Sequence, residues 1–358
     1  MAIRSLMYWL LSVVFLLPLA LQASTNEELQ AFLDKMVKET DAPSLSAAVA
    51  VDGKIFAAAS GYANTEKKLP ATTDTQYRTG SVAKVIATTA FMTLVEQGKV
   101  TLEDDVRSYL SYLPKKRWPY SIAHILTHTS GIRHYNFGEY GSNTHYPTLE
   151  EATKVFRDDD LLFQPGTGYT YSTYGINLIQ GIIEKTTGKT LSEFLEATLF
   201  SKASMKNTAL EFHDKTYPNF AVGYRSFLTS LPVKNINVSN KYVGGGMITT
   251  PTDLVSMMIA LNDGRLVKPK TKLLMWSIPF PKVAPDRAYG WEWISRNGIK
   301  LVSHGGAING FESFLIHDPK RNLTVAVMVN RDGYDHTSRT TFGIFDLFTN
   351  DESAEFSS

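Results

Sequence analysis

Apolar, strand-like runs stand at both ends of the chain, with a long helix-and-loop stretch between them, and this order constrains the fold most. Near the N-terminus, residues 45–64 place two apolar runs on either side of Asp52-Gly53, a strong hairpin signal. Near the C-terminus, four apolar runs cover 288–295, 299–306, 310–318 and 323–330. Short polar turns, Arg296-Asn297-Gly298 and Pro319-Lys320-Arg321-Asn322, divide them, so they predict antiparallel strands. Between the ends, residues 81–97 predict a helix with Gly98 as its stop. From about 100 to 280, prolines such as Pro114, Pro165 and Pro251 punctuate helices and loops. Two outer helices are expected. One covers 26–40, with Leu29, Phe32, Leu33 and Met36 at helical spacing, and the other covers 339–349. The resulting plan is α+β: an antiparallel sheet built from both chain ends, flanked by helices. It predicts a discontinuous sheet domain (24–80 and 285–350), a mostly helical domain inserted at 81–284, and a tail at 351–358.

Composition narrows the function. The chain has 358 residues, 36 Lys and Arg against 35 Asp and Glu, and no cysteine. A net charge of +1 gives no field that would draw nucleic acid or an acidic membrane. Without cysteine there are no disulfides, no thiolate chemistry and no lipoprotein anchor. The first residues carry Arg4, an apolar run from Leu6 to Leu17, then Pro18 and small residues to Ala23. That is a secretory signal pattern, with cleavage expected after Ala23 and a periplasmic or secreted mature protein. The run is shorter than the ~20 residues a membrane span needs, so no stable span is expected once it is removed.

Three elements carry candidate chemistry. Ser81-Val82-Ala83-Lys84 is the only Ser-x-x-Lys in the chain and begins the helix predicted at 81–97. Positions i and i+3 share a helix face, so the Lys84 amine can reach the Ser81 hydroxyl. A serine needs a base to become a nucleophile, and a lysine is one only if burial or a nearby cation lowers its pKa. The alternative is a capping serine followed by a surface lysine. The second element, Gln164 to Gly175, contains Tyr171, a phenol able to pass a proton, or else a loop tyrosine packing its ring. The third is Ser303-His304-Gly305-Gly306-Ala307 at a strand end. There His304 would offer a donor to a substrate carboxyl, and the Ala307 N–H would face an oxyanion; otherwise it is a tight turn with a solvated histidine.

Taken together, these elements resemble the serine β-lactamase and penicillin-binding-protein-like family, in particular its class C-like branch, whose motifs are Ser-x-x-Lys, Tyr-x-Asn and Lys/His-Thr-Gly in that order. Further segments carry the resemblance over about residues 28 to 350: Tyr77 to Pro114, Ile125 to Ile132 (ILTHTSGI), Ile179 to Gly188 and His304 to Phe311. The resemblance implies a β-lactamase/transpeptidase-like fold. It implies Ser81 as the acylated nucleophile, Lys84 as its base and Tyr171 as proton relay. Thr173, His304, Gly305 and Gly306 would line the substrate, and the N–H groups of Ser81 and Ala307 would form the oxyanion hole. No metal or organic cofactor is implied, and the partner is a small-molecule or peptide substrate.

Three positions depart from the pattern. Thr173 replaces Asn and lacks its two N–H donors. Gly305 replaces Thr and lacks its hydroxyl. His304 replaces Lys and carries charge only below a pKa near 6.5, so binding of an acidic substrate would weaken between about pH 6 and 7. These departures favour a hydrolase of esters, amides or small peptides over a β-lactamase or DD-carboxypeptidase. A non-catalytic binding or self-assembling protein on the same fold is the alternative from another class. His124 and His128 stand at i, i+4, but Ile125 occupies the place where a zincin motif needs Glu. Gly188-Lys189-Thr190 lacks the earlier glycine of a phosphate loop, with Ile183 in its place. Loops 133–147 and 212–241 are expected to choose the substrate, with Tyr135, Phe137, Tyr140, Tyr146, Phe212 and Tyr217 as candidate pocket aromatics.

Overall fold

The Asp52-Gly53 turn sets the first hairpin. Its residues have φ of +50° and +77°, the left-handed pair that a two-residue turn between twisted strands requires. The turn joins β1 (Ser44–Val51) to β2 (Lys54–Asn64), with Val51 opposite Lys54. On its other side β1 pairs antiparallel with β12 (Leu323–Val329), Leu45 opposite Val329, so the two chain ends meet at the centre of one sheet. The computed structural model describes residues 25–349 except 228 and 335. The signal peptide expected at 1–23 and the tail at 351–358 lie outside the described residues.

The sheet has seven strands in the order β3-β2-β1-β12-β11-β10-β9. Its other members are β3 (Leu69–Pro70), β9 (Glu292–Arg296), β10 (Ile299–Ile308) and β11 (Phe311–Asp318). β1 and β12 are buried along almost their whole length, which explains their near-continuous apolar sequences. Alternate side chains serve two cores. Leu45, Ala47 and Val49 pack with Leu29 and Leu33 of α1 (residues 25–40) and with Ile344 and Phe345 of α11 (Thr337–Thr349). Ala48 and Ala50 face the opposite core, which holds α2 (Val82–Glu96) and α9 (Pro251–Asn262). α2 is buried from Val82 to Leu94, with Lys84, Thr88, Thr89 and Thr93 among the buried residues.

Smaller helices fill the middle: α3 (Ile122–Leu126), α4 (Leu149–Thr153), α5 (Thr173–Thr187), α6 (Leu191–Leu195), α7 (Ser201–Ala203), α8 (Tyr242–Gly245) and α10 (Pro269–Met275). Gly188, at φ +69°, ends α5, which gives the Gly-Lys-Thr triplet a capping role. The middle is not purely helical. Short strands β4 (Tyr77–Arg78), β8 (Met247–Thr249) and β5 (Ala209–Leu210) form one small sheet. A second joins β13 (Arg331–Asp332), β6 (Tyr224–Phe227) and β7 (Thr229–Pro232). The strand expected over 288–295 starts only at Glu292. Residues 288–291 are a buried loop across α2, because Gly290 turns at φ +71° and a Cβ there would lie 2.3 Å from Thr88 Oγ1.

Candidate active site

The chain enters α2 through a turn held from several sides. Thr79 N–H donates to the Met247 carbonyl at 2.9 Å, and Ser313 Oγ donates to the Thr79 carbonyl at 2.6 Å. Gly80 adopts φ +48°, and a Cβ on it would stand 2.6 Å from the Ala307 nitrogen. Only glycine fits a left-handed bend pressed that closely on another strand. The bend places Ser81 at the N-cap position of α2, yet its side chain makes no cap bond. Its Oγ lies instead 3.0 Å from Lys84 Nζ.

Lys84 is fully buried. Its Nζ is also 2.6 Å from the Gly244 carbonyl and 3.3 Å from Thr173 Oγ1. Thr173, the first residue of α5, thus reaches Lys84 through its hydroxyl. Burial, and secondarily the charge of Lys241, hold the Lys84 amine well below the ordinary lysine range. A surface lysine beside a capping serine is therefore not what these residues form. The Tyr171 side chain lines the same pocket as Ser81, and burial raises its phenol pKa well above the ordinary value, the nearby Ser81 hydroxyl opposing the shift. Its ring centre lies 4.9 Å from Lys84 Nζ and 4.3 Å from the His128 ring centre, the two rings tilted by 36°. Ser81, Lys84, Tyr171 and Thr173 are thereby brought together, from β4–α2 on one side and the start of α5 on the other.

The third element departs from expectation. His304 is only 4% exposed, not solvated. Its Nδ1 donates to the Gly305 carbonyl at 2.7 Å. Burial, and then the nearby Lys84 charge, push its pKa down to about 3, so it is neutral between pH 6 and 7. With the pKa held that low, the loss of charge expected between pH 6 and 7 moves below that range, and a neutral imidazole makes no ion pair with a carboxylate. The two glycines also differ. A Cβ on Gly306 would meet Thr79 O at 2.2 Å and Ser81 N at 2.9 Å, whereas one on Gly305 would meet only the Phe314 ring at 3.5 Å. The missing side chain of Gly306 makes room for the Ser81 turn rather than for a substrate.

The pocket over Ser81 is small, about 70 Å³. Ser81, Tyr171, Thr173 and Ala307 line it, as do Tyr135 and Tyr140 from the 133–147 loop. Tyr140 Oη donates to the Ala307 carbonyl at 3.2 Å, fixing that loop to the edge of β10. Phe137 is fully exposed, and Tyr217 spends its hydroxyl on Leu210 O and Phe212 N, so these are not pocket residues. Sequence reasoning missed Lys241, whose side chain also lines the pocket. The signal that bore on it was Gly244-Gly245-Gly246 just beyond, a run that permits close backbone approach. His124 and His128 hold local structure. His124 Nδ1 accepts from the Ser121 N–H and His128 Nδ1 from the Ser172 N–H. Among the described residues no group of three or more His, Asp or Glu is placed to hold a metal ion, and no helix is long and apolar enough to cross a membrane.

Comparison with known proteins places this geometry. Residues 29–344 match the family model described as Beta-lactamase. The chain is 24% identical over 318 residues to Protein flp of Staphylococcus aureus (strain MRSA252), covering 86% of this chain and 63% of that protein. Among solved structures, a penicillin-binding protein homologue from Pyrococcus abyssi, described as octameric, superposes with TM-score 0.78 at 25% identity, covering 90% of this chain and 77% of that one. The D-amino acid amidase of Ochrobactrum anthropi SV3, in complex with D-phenylalanine, superposes with TM-score 0.80 at 24% identity, covering 92% and 99%. These likenesses establish the β-lactamase/transpeptidase-like fold.

Proposed function

Because the chain belongs to the beta-lactamase family, we propose that it is an exported serine hydrolase that forms an acyl-enzyme with an ester, amide or small peptide. The observation that carries this reading is the 3.0 Å contact between Ser81 Oγ and the amine of a fully buried lysine, which burial holds well below the ordinary lysine range. A neutral Lys84 keeps two N–H donors for Gly244 and Thr173 and turns its lone pair to the Ser81 hydroxyl. Ser81 Oγ attacks the substrate carbonyl as Lys84 takes its proton. The developing oxyanion lies between the Ser81 and Ala307 N–H groups. The intermediate then expels its leaving group, which takes a proton relayed through Tyr171 from Lys84. Water repeats the sequence on the ester of Ser81 and releases the acid. The high phenol pKa suits Tyr171 to pass a proton while staying neutral on average.

The substrate class is the finer part of the proposal. A neutral His304 and a bare Gly305 remove the third-motif groups that would hold a permanent carboxylate, which supports ester or amide hydrolysis over a β-lactamase or DD-carboxypeptidase. The D-amino acid amidase among the structural neighbours supports an amide or ester of a D-amino acid as the first candidate. Export rests on the signal pattern of residues 1–23. The decisive experiment is labelling with a fluorophosphonate and a β-lactam probe, read by intact mass. A covalent adduct that disappears in Ser81→Ala, with ester hydrolysis falling on the order of 10⁴- to 10⁶-fold, is expected. A Ser81→Ala protein that folds and hydrolyses like the parent overturns it. Failure of every serine-directed probe on the parent instead favours a non-catalytic binding protein.

A further inference from the structure

Lys241 stands immediately before α8, and only 2% of its surface is exposed. Its Nζ donates to the Tyr140 carbonyl at 2.7 Å and sits 4.8 Å and 5.3 Å from the ring centres of Tyr135 and Tyr140. An ammonium has three donors. Two of them have no acceptor among the described residues, and the residue lines the same pocket as Ser81. Nor does an acid neutralise it. Glu211 is held by Arg78 through bonds of 2.7 and 2.5 Å, and Glu139 by Arg133 at 2.8 Å. Neither Lys84 nor Lys241 pairs with a carboxylate among the described residues. A buried cation without a counter-ion is costly, and the cost is relieved by an anion brought from outside.

The two lysines differ in consequence. Lys84 has three acceptors around its nitrogen and sits on the hydroxyl, as a base does. Lys241 has one acceptor and two aromatic faces, and aromatic faces favour a cation. Burial and the Arg78 charge lower its pKa only to about 8, so most of it remains charged at neutral pH. We propose that Lys241 is the anion-recognition residue of this pocket: its ammonium takes a carboxylate carried by the substrate close to the reacting carbonyl. Discrimination for an acidic substrate then comes from α8, and not from β10, where His304 is neutral and Gly305 carries no side chain. This rests on the pocket being the substrate site, but binding of the anion requires no turnover.

The test uses Ser81→Ala protein, so it stands apart from catalysis. N-acetyl-D-alanine and its neutral amide are titrated by calorimetry. The carboxylate is expected to bind at least tenfold more tightly than the amide, and Lys241→Met, built on the same background, is expected to erase the difference. Equal affinities, no binding of the carboxylate, or a preference that survives Lys241→Met each overturn the proposal. If Lys241→Met does not fold, a crystal structure of the Ser81→Ala complex decides: the carboxylate lies within hydrogen-bond distance of Lys241 Nζ, or the proposal fails. Failure of every serine-directed probe to label the parent protein would sink the hydrolase reading and leave this result standing.

Discussion

Two adjacent glycines on β10 separate the structural demands of the site from its substrate contacts. Replacing Gly306 by Ala would put a methyl 2.2 Å from Thr79 O and 2.5 Å from Ser313 Oγ, with Ser81 N at 2.9 Å. Ordinary contact begins near 3.4 Å, so β10 and the Ser81 turn must part by about 1.2 Å. The Ser313 hydroxyl can rotate away, but Thr79 O and Ser81 N are backbone and cannot. The opening acts where Ser81 and Ala307 present their N–H groups, and a displacement of about 1 Å at reacting atoms costs on the order of 10²-fold in rate. Strain of this kind also costs about 1–3 kcal/mol of stability. Gly305→Ala is the control, since its methyl would only touch Phe314 at 3.5 Å on the opposite face of the strand. The assay is kcat/KM on a p-nitrophenyl ester together with urea unfolding. Gly306→Ala should lose about a hundredfold in kcat/KM, and Gly305→Ala less than threefold. Parental activity in Gly306→Ala, or equal losses in both variants, would refute the assignment of this strand edge to the oxyanion side of Ser81.

Two predictions follow from the buried charges. The positive charge of Lys241 helps depress Lys84, so Lys241→Met should move the acid limb of kcat/KM on a neutral ester to higher pH, and an unshifted limb would show the two amines to be uncoupled. His304 has a folded pKa of about 3 against about 6.5 unfolded, so the unfolded chain binds the extra proton between those values. The stability it permits is complete above pH 6.5 and is lost as pH falls toward 3. His304→Gln should therefore flatten the fall in urea midpoint between pH 7 and pH 4.5, although His128 and His317, also depressed by burial, keep part of the slope. Identical slopes would mean that His304 is already solvated.

Local pattern carried the elements whose causes are local. Asp52-Gly53 named its own turn, the length and composition of 81–97 with Gly98 behind it named a helix, and i, i+3 spacing brought Lys84 to Ser81. The two- to four-residue strands of the small sheets escaped because nothing in such short runs distinguishes them from loop until a distant partner arrives: Tyr77 is a strand residue only because Thr249 lies opposite. The depressed pKa of His304 is not legible in the sequence, because its burial is decided by α2 and Tyr171, more than a hundred residues away. Lys241 was hard to find for the same reason, as the glycine run beyond it marks a close backbone approach but not the burial of a lysine side chain. Its place in the pocket follows from Tyr135 and Tyr140 closing over it. The two omissions are linked. Judged by motif alone, β10 has lost its cation, and the site looks unable to hold an anion. Judged by geometry, a charged group still lines the pocket of Ser81, supplied from just before α8 by a residue that no motif contains. The third motif therefore speaks only for β10, which supplies no carboxylate clamp, and whether the pocket takes an ester or amide that carries an acid is what the Lys241 test decides.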